Sequence, residues 1–465
     1  MDNKGLLHKS IVLALCLSGI FLLGSFLGFP KDQICALFAF SLSILGTLLF
    51  WNFRLSFAFL GGVLILVTRV TTLEDFIRLS SMEIIFFLIG MMILVGFLRE
   101  IGLFTYMLQR SLIVKNINAK KITFMLILTS ALLACVVDEV SSIIFMIMII
   151  FEFCDYFEVD PIPFIITSVF ATNIGSAGTV LGNPIGLLIA TKAGLTFEDF
   201  LKYSFPLMIL SLFVLTIVIF IIFKKVLNEL DEKIKIYGPN EFLIKLLQIP
   251  PDRKMKIGAV CFMSTLVLIA LHHRIEIMLG LETNTVLLMA PLLTSAFIMI
   301  WRRHRARVYI EKDVEWWTLL FFIFLFAQAG VVAETGVANN IAEKLMLYMS
   351  DNKAAIVSVI LFGTAFVSSA LDNVVVVAGF IPIVGSLSNI LGLKHLLWWA
   401  FLFGACFGGN ITIVGSTANI MAIGTIEKER NLSIGFRYWL KIGIIVGIST
   451  MVFVLIMLLS LPYYK

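Results

Sequence analysis

The stretch ALLACVVDEVSSIIFMIMII, Ala131–Ile150, decides how this chain folds. Two adjacent carboxylates, Asp138 and Glu139, interrupt a run otherwise fit for the interior of a lipid bilayer. A charged side chain at the bilayer centre costs at least about 2.5 to 3.5 kcal/mol, so the pair needs a reason to be there. The apolar character extends from about 121 to 157, too long for one comfortable crossing of roughly 20 residues. A re-entrant helical hairpin, entering and leaving on one side with the acids at its tip, fits this pattern. A second run, 354–390, is interrupted in the same way by Asp372 and Asn373.

Composition sets the same frame for the whole chain. Of 465 residues, 60% are hydrophobic and 14% charged, against about 25% charged in ordinary soluble domains. Mean hydropathy is +1.04, which marks a polytopic membrane protein in contact with the lipid bilayer. The apolar runs are continuous rather than alternating, so helices, not barrel strands, satisfy the backbone. Besides the two hairpins, spans are expected near 10–29, 34–51, 55–70, 83–98, 162–191, 204–224, 256–272, 283–301, 315–333, 396–425 and 440–462. The first reads as a retained helix rather than a cleaved signal peptide. Six scattered cysteines form no C-x-x-C pair and imply neither a disulfide framework nor a thiolate metal site. Cys135 and Cys406, near the segments discussed below, read as packing residues.

Loops rich in Lys and Arg stay in the cytoplasm. With both hairpins re-entrant and the N-terminus inside, the basic stretches 99–121, 224–256 and 302–312 fall on one side. Counting either hairpin as a crossing separates them. The expectation is therefore eleven crossings and two hairpins in the cell (inner) membrane, N-terminus cytoplasmic and C-terminus outside. The net charge of +5 belongs mostly to those inner loops and gives no sign of a nucleic-acid partner.

An internal repeat organises the rest. The interval from Glu100 to Glu334 equals that from Asp138 to Asp372. GSAGTVLGNPIG, from Gly175, aligns with GGNITIVGSTAN, from Gly408, matching Thr179 with Thr412 and Gly182 with Gly415. The domains read as an N-terminal helix (1–32), a first repeat (33–227, hairpin 121–157, broken helix 162–191), a basic linker (228–255) and a second repeat (256–465, hairpin 354–390, broken helix 396–425). Each repeat holds five crossings and a hairpin, so the second is inverted. Inverted repeats with interrupted helices characterise secondary transporters, whose site lies near the midplane between the halves.

The polar residues at membrane depth form two sets. Asp138, Glu139, Asp372 and Asn373, at helix ends with unpaired backbone groups, are suited to a coupling ion or proton. Asn173, Gly175, Ser176, Thr179, Gly182 and Asn183, with Gly409, Asn410, Thr412, Gly415, Ser416, Thr417 and Asn419, give an oxygen-rich lining suited to Na⁺ or a small hydroxylated solute. Glycine permits an unwound backbone and Pro184 removes one helical hydrogen bond. Close helix packing by small residues is the competing account of any one position, but it explains less well why both halves are broken. No Lys or Arg falls in these four segments, and the three acids point to a cation, a proton or an uncharged substrate.

Beyond these patterns, DPIPFIITSVFATNIGSAGTVLGNPIGLLIATKAGLTFEDFLKY, together with SSALDNVVVVAGFIPIV and GGNITIVGSTANI, resembles the ion transporter superfamily. The nearest branch contains arsenite permeases, NhaD-type Na⁺/H⁺ antiporters and the melanosomal P protein; citrate and dicarboxylate carriers are more distant. The resemblance runs from about residue 55 onward. It implies a homodimer in which scaffold helices hold a mobile, elevator-type transport domain built from both hairpins and both broken helices. It places the tips at Asp138–Val140 and Asp372–Val374 and the arms joining the domains after Glu100 and Glu334. Relatives usually carry Asp-Asn at the first tip, where this chain has Asp138-Glu139, and Ile185-Gly186 stands where a Pro-Asn pair is usual.

The function expected is secondary transport of a small inorganic ion or hydroxylated metalloid, of the Na⁺ or arsenite type, coupled to H⁺ or Na⁺, with no other cofactor and no enzymatic activity. Proton coupling needs a carboxylate that exchanges its proton near the working pH, which favours Glu139. The alternatives are a Na⁺-coupled di- or tricarboxylate symporter and an ion channel. The chain has no P-loop, and a separate ATPase subunit has no support in the sequence.

Overall fold

The computed structural model describes residues 3–104, 106, 118–237, 252–349 and 352–461. The parts of the basic stretches at 107–117 and 238–251 lie outside the described residues. All regular structure among the described residues is helical. Ten helices there are long and apolar enough to cross a membrane, or eleven if the pair Arg253–Ala270 and His272–Leu279, bent by 66°, is one span.

The principal helices are α1 (Asn3–Phe26), α2 (Lys31–Leu49), α3 (Arg54–Val67), α4 (Met82–Glu100), α5 (Ala119–Val136), α6 (Glu139–Phe157), α7 (Ile162–Gly175), α8 (Pro184–Ala193) and α9 (Phe205–Ile222). They continue with α10 (Arg253–Ala270), α11 (Thr285–Trp301), α12 (Trp316–Glu334), α13 (Lys353–Ala370), α14 (Asn373–Leu391), α15 (Lys394–Gly408), α16 (Thr417–Arg430) and α17 (Phe436–Ser460). The run 121–157 is thus two helices, α5 and α6, packed on each other, and 354–390 is α13 and α14, likewise packed. The spans 162–191 and 396–425 are each two shorter helices separated by a coil, α7/α8 and α15/α16.

Local chemistry sets these boundaries. Asn118 caps α5 by accepting from Lys121 N at 2.8 Å, and Asn183 caps α8 by accepting from Gly186 N at 2.8 Å. Capping satisfies donors that a helix start leaves orphaned. Pro184 follows at the first helical position, where its missing N–H is no loss.

Packing then brings the interruptions together. α5 lies against α7 and α13 against α15. At both crossings the backbones touch through a glycine: a Cβ on Gly175 would stand 2.2 Å from Ala131 O, and one on Gly408 would stand 2.5 Å from Ala365 O. Only a residue without a side chain fits there. The halves also interleave, since α6 packs on α16 and α8 on α14. Around this group, α2, α3 and α12 are joined by Gln328, whose amide donates to Ala58 O at 2.8 Å and accepts from Ser43 Oγ at 2.8 Å. α4 and α11 form another pair, where Ser295 Oγ donates to Gly90 O at 2.7 Å. α1 is peripheral, with 11% of its apolar window buried in the protein.

Candidate functional site

The two hairpin tips are built alike. Asp138 caps α6 by accepting from Ser141 N at 2.7 Å, and Asp372 caps α14 by accepting from Val374 N at 3.0 Å. The tips are stapled to the coils by matching hydroxyls: Thr179 donates to Cys135 O, and Thr412 donates to Ser369 O. Each threonine oxygen also accepts an amide two residues on, from Leu181 N at 3.1 Å and Val414 N at 3.2 Å. These hydroxyls are therefore occupied by the fold.

The coils meet in a buried side-chain network. The Asn173 amide donates to Asn410 Oδ1 at 2.8 Å and Asn419 Oδ1 at 2.9 Å, and Asn173 Oδ1 accepts from Ser416 Oγ at 3.0 Å. Asn419 donates to the freed carbonyls of Gly409 at 2.7 Å and Thr412 at 2.8 Å. Asn183 donates to Ser176 Oγ at 2.9 Å and to Cys406 Sγ at 3.3 Å. The cap residue of α8, Asn183, thus reaches α15, while that of α16, Ser416, reaches α7. Gly182 and Gly415 serve close approach, facing the backbones of Ser176 and Gly409. Thr417 donates to the free oxygen of Asp372.

Among the buried polar atoms left open, three belong to the two hairpin tips, on Glu139 and Asn373. Glu139 is 3% exposed and Asn373 fully buried. Glu139 Oε2 and both amide atoms of Asn373 close no well-formed hydrogen bond, as is true of Asn410 Nδ2, although the Asn373 amide and the Ser176 hydroxyl lie against the Glu139 carboxyl. Ser176, Asn373 and the tip aspartates surround the Glu139 carboxyl. Buried polar groups are normally paired, so open ones call for a partner such as water, an ion or a substrate. Ser168 and Thr172, preceding Asn173 on α7, are also buried with unpaired hydroxyls and were absent from the residues picked by motif.

A cavity of about 160 Å³ opens beside the first tip, between Asp138–Ser141, Asn183, Thr417 and the ends of α4 and α12. At roughly 30 Å³ per water it has the capacity of about five waters, below the roughly 300 to 1,000 Å³ of drug-sized pockets. Its wall contains Arg99, Lys312 and Asp313, with Arg99 paired to Asp313. Near the second tip, Arg54 lies within electrostatic reach of Asp372. The four site segments hold no cation, but the folded site has cations around it, supplied by helix ends remote in sequence. The lone arginine in WNFRLSFAF and the one preceding Glu100 were the available signals.

Two solved structures share this fold. The YdaH transporter of Alcanivorax borkumensis matches with a TM-score of 0.54 at 12% identity, covering 80% of this chain and 84% of that one. Neisseria gonorrhoeae MtrF, described within a class of antimetabolite efflux pumps, matches with a TM-score of 0.54 at 17% identity over 86% and 85%. The apolar helices, the family model and a relative 30% identical over 401 residues that is itself described as a transporter make the protein a multi-pass membrane transporter. Within that class it belongs to the citrate transporter (CitMHS) family, whose model matches residues 47–360 and 329–464. An uncharacterized transporter of Mycobacterium tuberculosis is 30% identical over 401 residues, covering 84% of this chain and 89% of that protein. The human P protein is 25% identical over 447 residues, 80% of this chain; the match spans 52% of its length.

Proposed function

We propose that the protein is a secondary active transporter moving a small inorganic ion or hydroxylated metalloid in exchange or symport with H⁺ or Na⁺. The observation that carries this reading is the convergence of open, buried polar groups, Glu139 Oε2 and the Asn373 amide, where the hairpin tips approach each other. Glu139 is the proton- or cation-exchanging group, with Asn373 facing it from the other tip. Asp138 and Asp372 hold the tips in shape and lend negative charge, while Asn173, Ser176, Asn183, Asn410 and Asn419 form the polar floor.

The recurrence of the same staple, cap and glycine contact in both halves supports an inverted repeat. The mutual packing of hairpins and broken helices supports their moving as one elevator-type body against a scaffold containing α2, α3 and α12. In this reading the protein is a homodimer of the cell membrane with a cytoplasmic N-terminus.

A second reading, Na⁺-coupled uptake of a di- or tricarboxylate, is favoured by Arg99 and Lys312 in the cavity wall and by the family's description. Both are tested by reconstituting the protein in proteoliposomes and measuring uptake of Na⁺, arsenite, citrate and succinate at two pH values. Uphill accumulation driven by a Na⁺ or H⁺ gradient is expected. Flux that only dissipates gradients, reversing at one ion's Nernst potential, would replace the transporter with a channel.

A further inference from the structure

Each tip aspartate has one arginine in its electrostatic surroundings, and the two arginines differ. Arg99 is within reach of Asp138, but it is 56% exposed and already engaged with Asp313. Arg54, the first residue of α3, is half-buried and closes no ion pair within 4 Å among the described residues. It is nonetheless held in place. Its Nη2 donates to Thr318 Oγ1 at 3.0 Å, and its Cζ stands 4.6 Å from the centroid of the Trp51 ring and 5.4 Å from that of Phe321. Thr318 in turn donates to Glu315 at 3.2 Å. Thr318, which holds Arg54, and Thr417, which holds Asp372, line the same cavity together with Glu315 and Val374, so the guanidinium and the second tip border one small space; Asp372 and Glu315 are the carboxylates in its electrostatic surroundings.

Asp372 is 5% exposed. Its oxygens accept only from neutral donors, Val374 N and the Thr417 hydroxyl. Hydrogen bonds from neutral groups spread the charge of a buried carboxylate but do not cancel it, and a charge in such a place calls for a counter-charge. Glu139, whose carboxyl also faces Asp372, adds to the demand. A planar, weakly hydrated guanidinium stacked on aromatic rings is the side chain best suited to supply it without full hydration.

We propose that Arg54 is the resident counter-ion of Asp372, an electrostatic latch that holds the second hairpin tip toward α3 while no cation occupies the tips. Arg54 is a positioning residue, acting on the tip through Asp372. It lies outside the hairpins and broken helices, so the latch joins the tip to the helices that frame it. A cation arriving at Asp372 supplies the same charge and releases the tip. This last step rests on the coupling-ion reading of the tips; the latch itself does not.

The test is a double-mutant cycle read by hydrogen–deuterium exchange of the full-length protein in nanodiscs, without substrate, following peptides that cover 371–377. Arg54→Gln and Asp372→Asn should each speed exchange at the tip several-fold, with exchange across 436–460 unchanged. The double variant should exchange no faster than either single one, because both remove the same interaction. Arg54→Lys, which keeps the charge but not the stacked fork, should show a smaller rise, and it carries the cycle if Arg54→Gln does not fold. Wild-type exchange at the tip in the Arg54 variants, or effects that multiply in the double variant, would overturn the latch. Failure of the coupling reading is seen separately, as uptake that survives Asp372→Asn.

Discussion

The two hairpin tips share a plan and differ most in the residue after the aspartate, Glu139 in one and Asn373 in the other. In both, the aspartate turns back to cap its own helix, Asp138 on Ser141 N and Asp372 on Val374 N. In both, the next side chain is buried with open hydrogen-bonding valences, but it is a carboxyl in one case and an amide in the other. The difference separates two jobs that the sequence runs together. The first position builds the tip, and its chemistry is fixed by the backbone donors it must satisfy. The second faces the opposing tip, so an amide or a carboxyl there sets the charge of the site.

The largest effect should come from exchanging that second residue. Glu139→Gln should remove the pH dependence of uptake in proteoliposomes and lower gradient-driven accumulation at least tenfold, about 1.4 kcal/mol in barrier terms. An unchanged pH profile would end the proton role of Glu139. The reverse change, Asn373→Asp, places a third carboxylate beside Glu139 and Asp372, and it should slow uptake more at high pH than at low pH.

Next in size is the floor under both tips. Asn173→Ala removes three hydrogen bonds at once and leaves Asn410, Asn419 and Ser416 short of partners. At about 1 to 3 kcal/mol per orphaned group, a loss of roughly 3 kcal/mol or more is expected in thermal or denaturant unfolding in detergent. The staples come after it: Thr179→Val and Thr412→Val should each cost about 1 to 2 kcal/mol. Similar values would support equivalent tips, whereas a large disparity would break the comparison. The smallest change belongs to the first cap, where Asp138→Ala should cost about 1 kcal/mol of stability and Asp138→Asn, which keeps the cap, less; Asp372→Ala also frees the Thr417 hydroxyl and should cost more.

The helical class and the places where helices break were legible in the sequence because both depend on local signals. Long apolar runs specify helices, and Asp-Glu, Asp-Asn and the glycine-rich segments punctuate them. The polar floor was legible as composition, but not as a set of partners. Asn173 meets Asn410 and Asn419 across more than two hundred residues, and no local pattern encodes such pairings. For the same reason, the backbone bonds that Thr179 and Thr412 make to the hairpins were not legible in the sequence. The arginines were missed because a search confined to the site segments cannot see charge brought in by Arg54 and Arg99 from helix ends elsewhere. That omission had weighed against anionic substrates.

The reciprocal caps, Asn183 on Cys406 and Ser416 on Asn173, bear on mechanics. Each broken helix is pinned through its weakest point to the intact part of the other, like two split beams bolted crosswise at their fractures. Such a joint resists bending where an interrupted helix would otherwise act as a hinge. In the elevator reading proposed above, displacement of this core falls to its outer faces, and the interruptions serve as stiff sockets rather than moving parts.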